Sequence, residues 1–175
     1  MRVSSHRMTR VLTTSVPYGD PGIDQSVQLM ASYVDQSLDT PEVVYFARQL
    51  AVRAGVRQQY TQALAIKNFL ARTWRFVDDP HDRDLFVTPA EAIRQYSASG
   101  LMMGDCDEAA TLGAALGRAV GMCAQFVVLS FDDTDPPGQH IFAVLLTNDN
   151  RSVSLDITRP PGPVPAPTRT MVVDV

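Results

Sequence analysis

Residues 104–121 read GDCDEAATLGAALGRAVG, a cysteine set among three acids at the head of a run rich in alanine and glycine. Asp105 is a good N-cap and Glu108 stands three residues on, so the pair reads as a capping-box variant. Cys106 then takes the first helical position. Unpaired backbone N–H groups and the positive end of the helix dipole favour an anion there, the setting that lowers a cysteine pKa. Asp107 works against the thiolate, so helix position alone does not activate the sulfur and a nearby base is required.

Working outward, the N-terminal half reads as helical. IDQSVQLMASYVDQSL, from Ile23, places Val27, Met30, Tyr33, Val34 and Leu38 at helical spacing and predicts a short amphipathic helix. DTPEVVYFARQLAVRAG predicts another, with Thr40 as N-cap, Pro41 at the first helical position and Gly55 as its stop. QQYTQALAIKNFLARTWRF predicts a further long helix, and PAEAIRQYSASGLMMG a short one before the glycine-punctuated approach to Cys106. Trp74, Phe76, Met102 and Met103 are expected to be packing residues, and Gly104 to serve the tight turn into the cysteine's helix.

After that helix the period changes. CAQFVVLSF, HIFAVLLT and RSVSLDIT are β-rich runs separated by loops at 133–138 and 148–150, which predicts an antiparallel meander. Of the three histidines, His6 and His81 fall in polar segments, whereas His140 opens the strongest strand. If that strand and the next pair as a hairpin, Asp156, near the end of the latter, comes to lie beside His140. Cysteine, histidine and an orienting carboxylate satisfy the needs of thiol catalysis: the imidazole takes the proton, the carboxylate fixes its tautomer, and N–H groups at the helix start stabilise an oxyanion.

These three stretches together resemble the transglutaminase-like (transglutaminase core) superfamily of papain-like fold, over roughly residues 40 to 158. The resemblance rests on a Gly-Asp-Cys followed by a small-residue helix, a His starting a strand and an Asp ending the next. It implies an α+β fold with N-terminal helices packed on a small antiparallel sheet, with Cys106 as nucleophile, His140 as base and Asp156 as its orienter. It also implies a hydrolase or acyltransferase acting on an amide or peptide bond through a thioester, with no cofactor and no metal. The forms most like this chain are encoded by bacteriophages and prophages, which implies virion or tail proteins as partners. A non-catalytic virion or tail-associated protein on the same fold is the alternative. The chain departs from the family pattern in having no aromatic residue over 152–155 and Ile157 in place of a proline after the Asp.

Composition bounds the remainder. The 175 residues suffice for one domain with a real core. The expected divisions are an N-terminal arm at 1–22, the transglutaminase-like domain at 23–158 and a proline-rich extended tail at 159–175. Both ends are candidates for gripping neighbouring chains. A net charge of −4 without basic clusters argues against nucleic acid as a partner. No apolar run reaches the roughly 20 residues that span a bilayer, and the polar start MRVSSHRMTR lacks the apolar core of a signal peptide, so no membrane partner and a cytoplasmic setting in a host cell are expected. Cys106 and Cys123 lie too far apart along a helical run to bridge; Cys123 is expected to be a small buried hydrophobe. The acids at 78, 79, 82 and 84 with His81, and those at 132, 133 and 135, lack the spacing of a calcium loop and read as turn residues.

Overall fold

The structure, a computed structural model, describes residues 20–54, 58–79, 85–131, 138–159 and 165–175. Five helices, α1 (Asp20–Leu38), α2 (Pro41–Arg53), α3 (Gln59–Thr73), α4 (Pro89–Ser99) and α5 (Cys106–Ala119), combine with six strands among these residues. The strands are β1 (Trp74–Phe76), β2 (Met102–Gly104), β3 (Cys123–Phe131), β4 (Gly138–Leu146), β5 (Ser152–Ser154) and β6 (Arg169–Asp174). The arrangement is α+β, with the helices of the N-terminal half preceding a four-stranded sheet of order β5-β4-β3-β6.

Helix α5 is the central element. Every residue from Glu108 to Gly117 is buried, as expected of a helix packed on all sides. Its small residues make this possible. A Cβ on Gly113 would meet Leu155 Cδ1 at 2.6 Å, and one on Gly117 would meet Leu145 Cδ2 at 2.2 Å. The sheet therefore seats directly on the helix, its inner face supplied by Ala124, Phe126, Val128, Ile141, Ala143, Leu145, Val153 and Leu155, all buried. Helices α1, α2 and α3 cover the rest of α5 through Val34, Val43, Ile66 and Leu70, which join the same core.

The meander β3-β4-β5 is antiparallel, as its sequence predicts. Several other expectations are corrected. The first helix begins at Asp20, inside the stretch read as an arm, and at 19 residues it is the longest of the described helices rather than a short one. Thr40 sits at the N-cap of α2 without capping it; its hydroxyl donates to the Gln36 carbonyl of the preceding helix. By contrast Thr88 does cap α4, accepting from the Glu91 N–H. The segment 74–76 is a strand rather than the end of a helix, and it pairs in parallel with β2 just before Cys106.

The most consequential difference lies in the tail. Its end is extended, but as β6, in register with β3 from Gln125↔Asp174 to Ser130↔Arg169. Met171, Val173 and Val175 pack against the core. Order at the end of the tail thus arises within the chain's own sheet. The proline count at 160–167 hid the alternating RTMVVDV that follows. Residues 1–19, Gly55, the segment at 80–84 with His81, the loop at 132–137 and the prolines at 160, 161 and 163 lie outside the described residues. Among the described residues no helix is long and apolar enough to cross a membrane.

Candidate active site

Cys106 occupies the first position of α5, and the capping box predicted ahead of it is formed. The Asp105 carboxylate accepts from the Asp107 N–H at 3.0 Å, and Glu108 Oε2 accepts from the Asp105 N–H at 2.9 Å. The second Glu108 oxygen accepts from the Val87 N–H at 3.1 Å, tying the segment before α4 to the helix head. Sequence reasoning found this residue as a cap but not its second attachment, because no local pattern reports a partner 21 residues away.

Gly104 approaches the same carboxylate. Its φ is not positive, so a left-handed turn does not explain it. What requires glycine is space: a Cβ there would lie 2.5 Å from Glu108 Oε2 and 3.0 Å from Trp74 Cζ2. The Trp74 indole N–H donates to the Gly104 carbonyl at 3.2 Å, and the Val77 N–H donates to the same oxygen at 3.0 Å. Trp74 and Met102 are buried, as expected, whereas Phe76 and Met103 are exposed, contrary to expectation.

His140 stands at the third position of β4, opposite Leu129 of β3. Asp156 lies two residues beyond the end of β5. The ladder nevertheless continues past Ser154, because the Leu155 N–H donates to the Ala143 carbonyl at 2.8 Å. That extension delivers Asp156, whose Oδ1 lies 2.7 Å from His140 Nε2. Both side chains are largely withdrawn from solvent, at 14% and 17% exposure. The other Asp156 oxygen faces the Arg159 guanidinium at 3.8 Å, a neighbour that no sequence signal announced. With Nε2 engaged by the carboxylate, Nδ1 is the ring nitrogen left to handle a proton.

The sulfur of Cys106 is met by backbone N–H groups of Cys106 itself and of Ile141, the residue after His140. These contacts join the head of α5 to the start of β4. They favour a thiolate, but burial opposes it more strongly, and the Asp105 and Asp107 carboxylates add to that opposition. The net effect pushes the Cys106 pKa up to about 12, so at neutral pH the resting sulfur is a thiol. The helix-head argument is outweighed here by desolvation.

The acids themselves are strained electrostatically. Burial, then the Asp105 carboxylate, pushes Glu108 up to about 8, against the two backbone N–H groups that it accepts. Asp107 is raised well above the usual carboxylate range, first by burial and next by its hydrogen bond with Asp105. One oxygen from each of Asp105, Asp107 and Glu108 falls within 4.8 Å of the others. Backbone N–H groups already occupy these carboxylates, so the cluster works as a helix cap. The two acid groups considered from sequence lie partly or wholly outside the described residues.

Cys123, expected to be buried, is exposed at the start of β3, and both cysteines are free thiols. His6 and His81 lie outside the described residues.

No family model matches the chain, and no curated protein does. Among solved structures it aligns with a candidate cysteine protease from Cytophaga hutchinsonii at 20% identity and a TM-score of 0.42. That alignment covers 57% of this chain and 32% of the other, so this chain spans about a third of the length of the protein it matches. A likeness this loose carries no weight for the chemistry, which stands on the site itself.

Proposed function

We propose that the chain is a cysteine-dependent amide hydrolase or acyltransferase of transglutaminase-like, papain-like design, with Cys106 as nucleophile, His140 as base and Asp156 as its orienter. The observation that carries the reading is the hydrogen bond of 2.7 Å between His140 Nε2 and Asp156 Oδ1, made on the strand whose next N–H, that of Ile141, meets the Cys106 sulfur.

In this reading the chemistry runs by concerted proton transfer rather than from a preformed thiolate. His140 Nδ1 accepts the Cys106 proton as the sulfur attacks the carbonyl carbon of a bound amide, and Asp156 stabilises the imidazolium that forms. The oxyanion is received at the head of α5. The Asp107 N–H is already held by Asp105 and the Glu108 N–H by Asp107, so the role falls to the Cys106 N–H, which turns from its own sulfur at rest to the oxyanion as the sulfur attacks. His140 then returns its proton to the leaving nitrogen, the C–N bond breaks, and a thioester to Cys106 remains. Water or an amine attacks the thioester, giving an acid or a new amide respectively.

The half-buried, acid-flanked thiol fits this order of events. Held neutral at rest, it is spared adventitious oxidation and alkylation, and substrate binding supplies the carbonyl that makes proton transfer worthwhile.

The test is active-site-directed labelling. A peptidyl vinyl sulfone should add one equivalent to the full chain, map to Cys106 by mass spectrometry, and fail to add to Cys106→Ala or His140→Ala. Labelling of Cys106 at an undiminished rate in His140→Ala would overturn the reading.

A further inference from the structure

Seven large apolar side chains among the described residues are exposed, and four of them, Phe76, Val77, Leu101 and Met103, lie on the β1–β2 ribbon and its flanking residues. Their distribution along the ribbon is graded. At one end the in-register pair Trp74↔Met102 is buried at 6% and 0% exposure; toward the other, Phe76, Val77 and Met103 stand near half exposure, at 51%, 49% and 53%. The bare end is the one that runs through Gly104 and Asp105 into Cys106.

The ribbon is firmly held where it is bare. The Trp74 indole and the Val77 N–H both donate to the Gly104 carbonyl. The register partner of Phe76 is Gly104, which has no side chain to lay against the ring. By strand alternation Met103, Val77 and Leu101 share the opposite face, so apolar surface is presented on both sides of the ribbon beside the nucleophile. Isolated exposed apolar residues are ordinary, but a cluster on a rigid element beside a reactive group marks a binding surface.

We propose that this end of the β1–β2 ribbon is a specificity surface that receives a bulky apolar side chain of the polypeptide whose carbonyl Cys106 attacks, with Met103 and Val77, which share one face, as its principal contacts. The occupant is a substrate peptide because the surface is continuous in backbone with the nucleophile. The inference rests on the reading of Cys106 as a nucleophile.

The experiment uses the full chain carrying Cys123→Ser, which leaves Cys106 as the sole thiol. Its labelling rate is measured with an all-glycine tripeptide vinyl sulfone and with the same probe carrying Leu or Phe at the first or second residue from the electrophile. An apolar probe should label at least about tenfold faster. In Val77→Ser with Met103→Ser that preference should fall below about threefold while the iodoacetamide rate is unchanged. Labelling without apolar preference, or a preference that survives both substitutions, overturns the surface and leaves the nucleophile standing. Absence of labelling by every vinyl sulfone, with iodoacetamide still reacting, overturns both. A parent chain that sediments as a dimer and becomes monomeric on Met103→Ser assigns the surface to a second copy and overturns the proposal.

Discussion

Gly104 and Glu108 are mutually exclusive with a side chain between them: a Cβ at residue 104 would stand 2.5 Å from Glu108 Oε2, the oxygen that accepts the Asp105 N–H. Gly104→Ala should therefore push the Glu108 carboxylate off the helix head and destabilise the fold by about 1–3 kcal/mol, the usual range for overpacking. Denaturant unfolding measures this. A loss within about 0.3 kcal/mol of zero would show that the carboxylate relaxes freely.

Asp105→Asn separates the cap from its charge. Asparagine is as good an N-cap as aspartate, so stability should change little, while one of the two carboxylates that raise the Cys106 pKa is removed. Alkylation of Cys106 by iodoacetamide at a fixed pH between 8 and 9 should rise by roughly tenfold, corresponding to about one unit of pKa. Burial still holds the sulfur above the ordinary thiol range, so the variant should stay slower than free cysteine.

Glu108 gives the stability a pH dependence of definite sign. Its folded pKa, about 8, lies above the ordinary carboxyl value of 4.5, so the folded state holds the proton over a range in which the unfolded state has lost it. The group's contribution is greatest below about pH 4.5 and is lost progressively as pH rises to about 8. Glu108→Gln removes that dependence. Relative to the variant, the parent should lose melting temperature between pH 5 and 8, and a parent that gained on the variant over this interval would contradict the sign.

Asp156→Asn tests the orienter. The amide can present its N–H to His140 Nε2 and so favour the wrong tautomer, with Nδ1 protonated. Labelling of Cys106 by a peptidyl vinyl sulfone should fall by about 10²-fold or more. Circular dichroism should be unchanged, which separates loss of the base from loss of the fold.

Much of this architecture was legible before folding, because its signals are local. The Asp105–Glu108 capping box, Pro41 at a helix start and the β-rich runs at 123–131 and 140–147 each depend on neighbours within a few residues; the first two appear where expected, and the strands form at 123–131 and, two residues earlier than read, at Gly138–Leu146. The approach of His140 to Asp156 was legible by one further step, since consecutive strands joined by a short turn pair as a hairpin. What escaped was non-local. Trp74–Phe76 reads as helix by continuation from α3, and only its partner 28 residues later makes it a strand. Burial of Cys106 reverses the helix-head expectation for its acidity, and burial is a property of the assembled core. The exposure of Cys123, Phe76 and Met103 likewise depends on which edges the packing leaves uncovered.

The pairing of β3 with β6 imposes an order of events on biosynthesis. The β3–β4–β5 hairpins can zip as they emerge, but one side of β3 has no hydrogen-bonding partner until residues 169–174 leave the ribosome. Through that interval the strand CAQFVVLSF presents a naked backbone edge and is open to pairing with other nascent chains. Premature termination between residues 157 and 168 would make that vulnerability permanent, giving a chain with Cys106, His140 and Asp156 all present and a strong tendency to aggregate.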